Sequence, residues 1–535
     1  MKNKKETLLK SIFALIFSQV LIKIIGLAYK LYLTNREGFG DGGNAIYSSG
    51  FQIYALLLTF SSTGVPNAIA KLVSERVAIG DNKGAHRIFK ISFFMFAIIG
   101  GIGTSLLFIF AKTIANVWLQ IPEAEQSLVA LSPSIFFVSI ISVFRGYFNG
   151  TQRFSVTAKS QSIEQFFKTF FTIVLVESVA FLCSVNTTLM AAAANLATSV
   201  ATAISFAYIY LYYLSKRKEI AQDIASSTNY IPTRIRKTMR KIIGVAFPIS
   251  LSSLMSSFSK NIDSFTVVRF LKEFMDEVEA KKQYGILSGK IDTLCALPLS
   301  INVALVTALV PNIARANAKG NFQEVRHKAR IFLLFSVVIG LPATVGMMMF
   351  SEQILKLLFP NACQGANLLR LGSVSILFML MLQTINGILQ GIGEVKIPSI
   401  ALGIGTIFKL VCNILLIKNP EIGIFGAVIG NIVCNGVAVM IGYSVLIRKV
   451  KIKLSFNNFF LKPIVATVCM AFLSNFAYRN LNGIIIDKMA TILSLGVALI
   501  VYIICIIMLR TFKRNDFKML WNLKRKNIFL KKEGF

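Results

Sequence analysis

The chain has 535 residues, 55% of them hydrophobic and 15% charged, with 44 Phe, which is too apolar for a water-soluble multidomain protein and places it in a bilayer. A formal charge of +33 would suit a nucleic-acid binder if it lay on one soluble face. Here the Lys and Arg gather in short segments between apolar runs, where membrane orientation accounts for them.

The first apolar run follows the basic residues Lys2, Lys4, Lys5 and Lys10 and reaches Thr34 without a small-residue cleavage site, so an uncleaved first span is expected rather than a signal peptide. At about 20 apolar residues per crossing, the spans fall near 11–34, 44–72, 88–111, 127–149, 160–183, 188–213, 242–269, 284–314, 329–350, 366–391, 398–417, 423–447, 461–478 and 490–509. Most of the 57 Lys and Arg fall in connectors on one side of this layout, the side that also holds both chain ends. By the positive-inside rule both termini are cytoplasmic. The opposite loops are short, the longest running from Lys272 to Gln283, and no extracytoplasmic domain is expected. The tail from Lys513 through Lys532, with Trp521 and Phe529 interleaved, reads as an interfacial segment drawn to anionic lipid.

The 7 Cys lie mostly inside apolar runs, without CxxC or metal-ligand spacing, and the 2 His, His86 and His327, lie in polar connectors. Neither a metal site nor a catalytic triad is expected, and the Cys read as packing residues.

The sequence repeats itself. Val65-Pro66-Asn67 at the end of span 2 recurs as Val310-Pro311-Asn312 at the end of span 8. Arg145-Gly146, Gly150 and Phe167-Lys168 align at one constant separation with Asn386-Gly387, Gly391 and Phe408-Lys409. An even number of spans between copies makes the repeats parallel, as in transporters built from two like halves. The expected division is an N-lobe of spans 1–6 (residues 1–230), a C-lobe of spans 7–12 (231–450), and a final part, 451–535, holding spans 13 and 14 and the basic tail.

A charge at bilayer depth costs about 2.5–3.5 kcal/mol on insertion scales and is retained where it faces a polar interior. The spans hold Lys23, Lys30, Arg145, Lys168, Lys260, Arg269, Lys290, Arg370 and Lys409 against Glu164, Glu177, Asp263 and Asp292, a cationic excess that favours an anionic substrate. Lys23 and Lys30, seven apart, share one face of span 1. The repeat relates Lys168 to Lys409, and a similar separation relates Lys23 to Lys260. The candidate substrate-binding residues are therefore Lys23, Lys30, Lys260, Lys409, Lys168 and Arg145, converging on one hydrated volume. Local spacing offers alternatives: Lys260 with Asp263, Glu164 with Lys168, and Lys290 with Asp292 could neutralise one another, and Lys30, Arg269 and Arg370 could snorkel to an interface. Asp263 is a candidate for coupling to Na⁺ or a proton, the only cofactor-like requirement foreseen, with partnering of Lys260 as the alternative. Pro66, Pro298 and Pro311 are candidate hinges.

Gly64-Val65-Pro66 with Lys71-Leu72-Val73-Ser74-Glu75, Tyr284-Gly285 with Leu297-Pro298, Ala308-Leu309-Val310-Pro311, and Leu389-Gln390-Gly391-Ile392-Gly393 form an ordered set. Together they resemble the lipid II flippases of the MurJ type and the related SpoVB/YtgP polysaccharide-biosynthesis proteins of the multidrug/oligosaccharidyl-lipid/polysaccharide superfamily, from about Lys10 to Lys449. The resemblance implies an all-α integral membrane protein of about 14 transmembrane helices. Two pseudo-symmetric six-helix lobes would form a V around a central cavity, with two extra C-terminal helices. It implies an undecaprenyl-diphosphate-linked saccharide as substrate, and Lys23 matches the position of a cavity-lining cation in span 1. The sequence departs from the Gram-negative pattern where a second basic position becomes Tyr29, with Lys30 beside it, and an acidic position becomes Asn44.

The expected function is a non-enzymatic flippase in a bacterial plasma membrane, with the lipid-linked saccharide and membrane lipids as partners, no nucleic acid, and a monomer as the expected assembly. A drug/cation antiporter of the same superfamily would need an acidic, aromatic-lined cavity. A membrane glycosyltransferase or ligase would need catalytic carboxylates near a surface and typically a sizeable outer loop.

Overall fold

The computed structural model describes residues 25–512 apart from 60, 62–63, 184, 226, 228–229, 231, 233, 319 and 453–456. Lys23, both chain ends and the basic tail lie outside the described residues. Those described are helical and contain no strand. In order the helices are α1 (25–35), α2 (Gly40–Thr59), α3 (Val65–Ala78), α4 (Asn82–Thr113), α5 (Ala124–Gly150), α6 (Phe154–Leu182), α7 (Thr187–Ser215), α8 (Arg217–Ala225) and α9 (Ile235–Leu271). Then come α10 (Glu277–Gly285), α11 (Asp292–Ala318), α12 (Phe322–Met349), α13 (Ser351–Leu358), α14 (Ala366–Gly391), α15 (Lys396–Leu416), α16 (Phe425–Val450), α17 (Lys462–Leu481) and α18 (Asp487–Met508).

Among the described residues 11 helical segments are long and apolar enough to cross a membrane. The other three expected spans differ for local reasons. Span 1 begins ahead of the described residues. Span 2 is divided into α2 and α3, with Pro66 in the first turn of α3, where a missing N–H costs nothing. Span 7 is α9, whose middle is rich in Ser and carries Lys260, Asn261 and Asp263.

Connectors that the span order puts on one side meet there. Lys281 pairs with Glu123 at 2.6 Å, and Asn361 donates to the Asn35 carbonyl at 2.7 Å. On the other side Arg153 lies 2.5 Å from Glu219, Lys241 3.4 Å from Glu75, and Lys449 2.9 Å from Glu394.

Two compact units result. The first comprises the described residues through Leu294 with Phe359–Gln364 and Val395–Cys434. Its apolar core joins α3, α4, α5 and α7 around Ile69, Val73, Phe89, Phe96, Phe144 and Tyr147, with Phe89 4.8 Å from Tyr147 and 5.1 Å from Phe144 between ring centres. Such ring pairs add roughly 0.5–1.5 kcal/mol to their burial. A β-carbon at Gly146 would lie 2.8 Å from Ile69 Cβ and 2.9 Å from the Pro66 carbonyl, and one at Gly150 2.7 Å from Val73, so α5 and α3 touch nearly backbone to backbone.

The second unit comprises Cys295–Leu358, Gly365–Glu394 and the described residues from Asn435 onward. Within it Gly387 and Gly391 of α14 make the same kind of approach to α11: a β-carbon would lie 2.6 Å from Val306 and 2.7 Å from Ile313. Repeat-related glycines thus seat repeat-related proline-bearing helices, which supports an internal duplication. Pro298 and Pro311 lie inside α11. Asn302 of α11 donates to Gln383 at 2.9 Å and Thr384 at 3.1 Å, and Thr384 bonds Ser336 of α12 at 2.6 Å. The packed pair α17 and α18 is fixed to α12 by Tyr502, whose hydroxyl donates to the Val338 carbonyl at 2.7 Å.

Candidate functional site

The first unit gathers ionisable side chains from α1, α2, α5, α6, α9, α15 and the start of α11. Asp263, one turn beyond the serines of α9, accepts from Lys409 at 2.7 Å on one oxygen and from Asn413 at 3.0 Å on the other, with Asn431 at 3.3 Å. Lys409 also donates to the Ser259 carbonyl at 2.6 Å and is 0% exposed. Asn413 stands one turn after Lys409, so α15 presents both to α9. Room for the pair comes from α16: a β-carbon at Gly430 would lie 2.6 Å from the Asn413 side-chain oxygen and 3.3 Å from the Lys409 stem.

This pairing differs from the one local spacing suggested. Asp263 takes Lys409 instead of Lys260, which is exposed. Glu164 takes Arg145, at 2.7 Å, instead of Lys168. The Arg145 guanidinium also donates to Ser160 at 2.9 Å, a forked grip that an i,i+4 lysine cannot offer. Lys290 takes Asp41 of α2, not Asp292: its ammonium lies 2.9 Å from each carboxylate oxygen and donates to the Ala362 and Gln364 carbonyls at 2.7 and 2.8 Å. The approach of α2 depends on glycines in the α10–α11 segment, since β-carbons at Gly285 and Gly289 would strike the Asp41 backbone and Asn44. Glu177 receives both Arg36 nitrogens at 2.9 Å and the Tyr32 hydroxyl at 2.5 Å.

These exchanges leave two buried cations without an acid. Lys30, 8% exposed, donates to Ser48 at 3.3 Å and Asn44 at 3.5 Å and stands 4.8 Å above the Tyr47 ring. Asn44 is turned toward it by donating to Thr34 at 2.9 Å. Lys168, 7% exposed, lies 4.3 Å over Phe51 and 5.3 Å over Tyr29, whose hydroxyl meets that of Tyr47 at 3.3 Å. Among the described residues neither ammonium has a carboxylate at ion-pair distance. Ring faces stabilise an ammonium by about 0.5–2 kcal/mol, enough to hold the lysines in place and too little to neutralise them. Half-buried Asp292 stands at the start of α11 in the same unit.

The structure therefore brings Lys30, Lys168, Lys260, Lys409 and Asp263 into one unit, with Lys409 and Asp263 spent on each other and Arg145 on Glu164. Arg269 donates to the Val117 carbonyl at 2.6 Å, and Arg370, in the second unit, to Ser351 at 3.1 Å. Sequence reasoning did not single out Tyr47, Phe51, Ser48 or Asn413. Asn413 could have been found as the polar residue one turn from Lys409; the rings give no such signal among 44 Phe and 14 Tyr. Among the described residues no group of His, Cys, Asp and Glu has the arrangement of a metal site.

Residues 8–317 match the family model described as polysaccharide biosynthesis protein, and residues 248–415 match the MatE model. Stage V sporulation protein B of Bacillus subtilis (strain 168) is 24% identical over 523 residues, covering 96% of this chain and 98% of its own. The lipid II flippase MurJ of the same organism is 26% identical over 428 residues, 77% of each chain. A solved structure of lipid II flippase MurJ in an inward closed conformation superposes with a TM-score of 0.69 at 15% identity, covering 92% of this chain and 98% of that one.

Proposed function

The chain belongs to the polysaccharide biosynthesis protein family, multi-pass membrane transporters of the multidrug/oligosaccharidyl-lipid/polysaccharide superfamily, and on that premise we propose that it flips an undecaprenyl-diphosphate-linked saccharide, lipid II or a related polysaccharide precursor, across the bacterial plasma membrane by alternating access. The observation that carries this reading is the pair Lys30 and Lys168, buried, ring-backed and without an acid. A diphosphate brings the negative charge they lack, and its prenyl tail can stay in lipid. Charge-assisted bonds from ammonium to phosphate oxygen are about twice as strong as neutral ones. Exposed Lys260, in the same unit, adds a further cation for the diphosphate. Both termini are read as cytoplasmic.

A drug/cation antiporter is less well supported, because the Asp263 carboxylate already holds an ammonium and two amides. Coupling to Na⁺ or a proton at Asp263 would require its pair with Lys409 to open. The test is complementation of a strain depleted of its lipid II flippase, with a protection assay for precursor on the outer leaflet. Rescue with outward precursor supports the reading; normal membrane expression with neither rescue nor precursor of any undecaprenyl-linked glycan on the outer leaflet removes it.

A further inference from the structure

The segment Phe359–Gln364 belongs to the first unit, although the residues before it, through Leu358, and after it, from Gly365, belong to the second. Two points hold it. The Lys290 ammonium, 0% exposed, shares its donors among Asp41, the Ala362 carbonyl and the Gln364 carbonyl. Asn361 donates from its side chain to the Asn35 carbonyl at 2.7 Å and from its backbone to the Asn35 side chain at 3.4 Å. Phe359 at one end is buried, whereas Asn361, Cys363 and Gln364 are exposed. At the other end Gly365 turns the chain at φ 107° into α14, a conformation that side chains resist.

We infer that Phe359–Gln364 is a strap that must leave its seat during transport, and that Lys290 is the positioning residue that anchors it. The inference rests on the transporter reading above. The chemistry gives the strap a conditional hold. An ammonium has three donors and no acceptor, and here two of them go to strap carbonyls while Asp41 neutralises the charge. Without Asp41 the buried cation would be too costly to keep beneath the strap. Without Lys290 the two carbonyls lose their donor, and the Asn35 contact remains. The seat is polar and reachable from outside, since Asn361 lines a cleft of 510 Å³ with Thr34, Arg36 and Asp41. Beyond the buried Phe359, the segment is tied by polar contacts beside open solvent, the kind of stretch from which moving parts are drawn.

The experiment uses the full chain with the exposed Cys183 and Cys363 replaced by Ser. In one arm Ala362→Cys, at a half-buried position that leaves the Asn361–Asn35 contact in place, is labelled with a membrane-impermeant maleimide, with and without Lys290→Met. The Lys290→Met protein should label roughly tenfold faster, as expected when a buried ion pair is broken; equal rates would overturn the anchor whatever the protein transports. In the other arm Asn35→Cys with Asn361→Cys is joined by a short bis-thiosulfonate linker and assayed in vesicles with a fluorescent undecaprenyl-diphosphate saccharide. Loss of flipping on linking, with recovery in dithiothreitol, supports the strap. Flipping by the linked protein at the reduced protein's rate refutes it while leaving the flippase reading intact.

Discussion

Lys409 of α15 holds Asp263 of α9 at 2.7 Å, in a pocket where neither residue is more than 5% exposed. Each charge there is tolerable only because of the other. Breaking a buried pair on one side costs about 3–5 kcal/mol, whereas removing both charges is often neutral. Lys409→Met should therefore lower the melting temperature in detergent sharply, and Lys409→Met with Asp263→Asn should recover most of the loss. Size-exclusion melting curves would check this; a double variant no better than the single one would mean that the pair is not what stabilises the contact.

Lys30 and Lys168 should behave in the opposite way. With no acid to strand, Lys30→Gln and Lys168→Gln should leave the fold within about 1 kcal/mol of wild type and reduce transport by about tenfold or more each, the worth of one charge-assisted contact. Melting curves beside a vesicle flipping assay separate the two effects. Wild-type rates in both variants would remove these lysines from the substrate path.

Asn44 offers a sharper test, because its side-chain oxygen is already 3.5 Å from the Lys30 ammonium. Asn44→Asp places a carboxylate there, at nearly constant volume, and gives Lys30 the acid it lacks. The expected outcome is a protein as stable as wild type with at least roughly tenfold weaker use of a diphosphate substrate. Unchanged concentration dependence would count against Lys30 as an anion contact.

The glycine contacts predict matched damage in the two units. Gly146→Leu must displace Ile69 and the Pro66 carbonyl, and Gly387→Leu must displace Val306. Overpacking of this kind costs about 1–3 kcal/mol or more where backbone is the obstacle. Both variants should lose folded yield to a similar degree, whereas Gly101→Leu, with no atom in the way of a β-carbon, should not.

The fold was largely legible because apolar length is a property of each segment alone. Its exceptions were also written in the residues: the serines and charges of α9 depress the hydropathy of span 7, and Pro66 marks the division of span 2. The site was legible as a set of residues and illegible as a set of partners. Spacing along a helix reports only neighbours on that helix, so it offered Asp263 to Lys260 and Glu164 to Lys168. The crossing of α15 over α9, with Gly430 of α16 leaving room for Lys409 and Asn413, and the reach of the Arg145 fork decided otherwise. Asp41 escaped notice because it precedes the apolar run of α2, although its partner Lys290 had been marked.

During synthesis, the residues that cover Asp263 are made late. Lys409 follows it by 146 residues and Asn431 by 168, roughly 10–30 s at ordinary elongation rates. Until then α9, already among the most polar of the helices, carries an uncompensated carboxylate whose insertion costs about 2.5–3.5 kcal/mol. Nascent chains halted before α15 should therefore be degraded more readily than the full-length protein, and the difference should shrink when Asp263 is replaced by Asn.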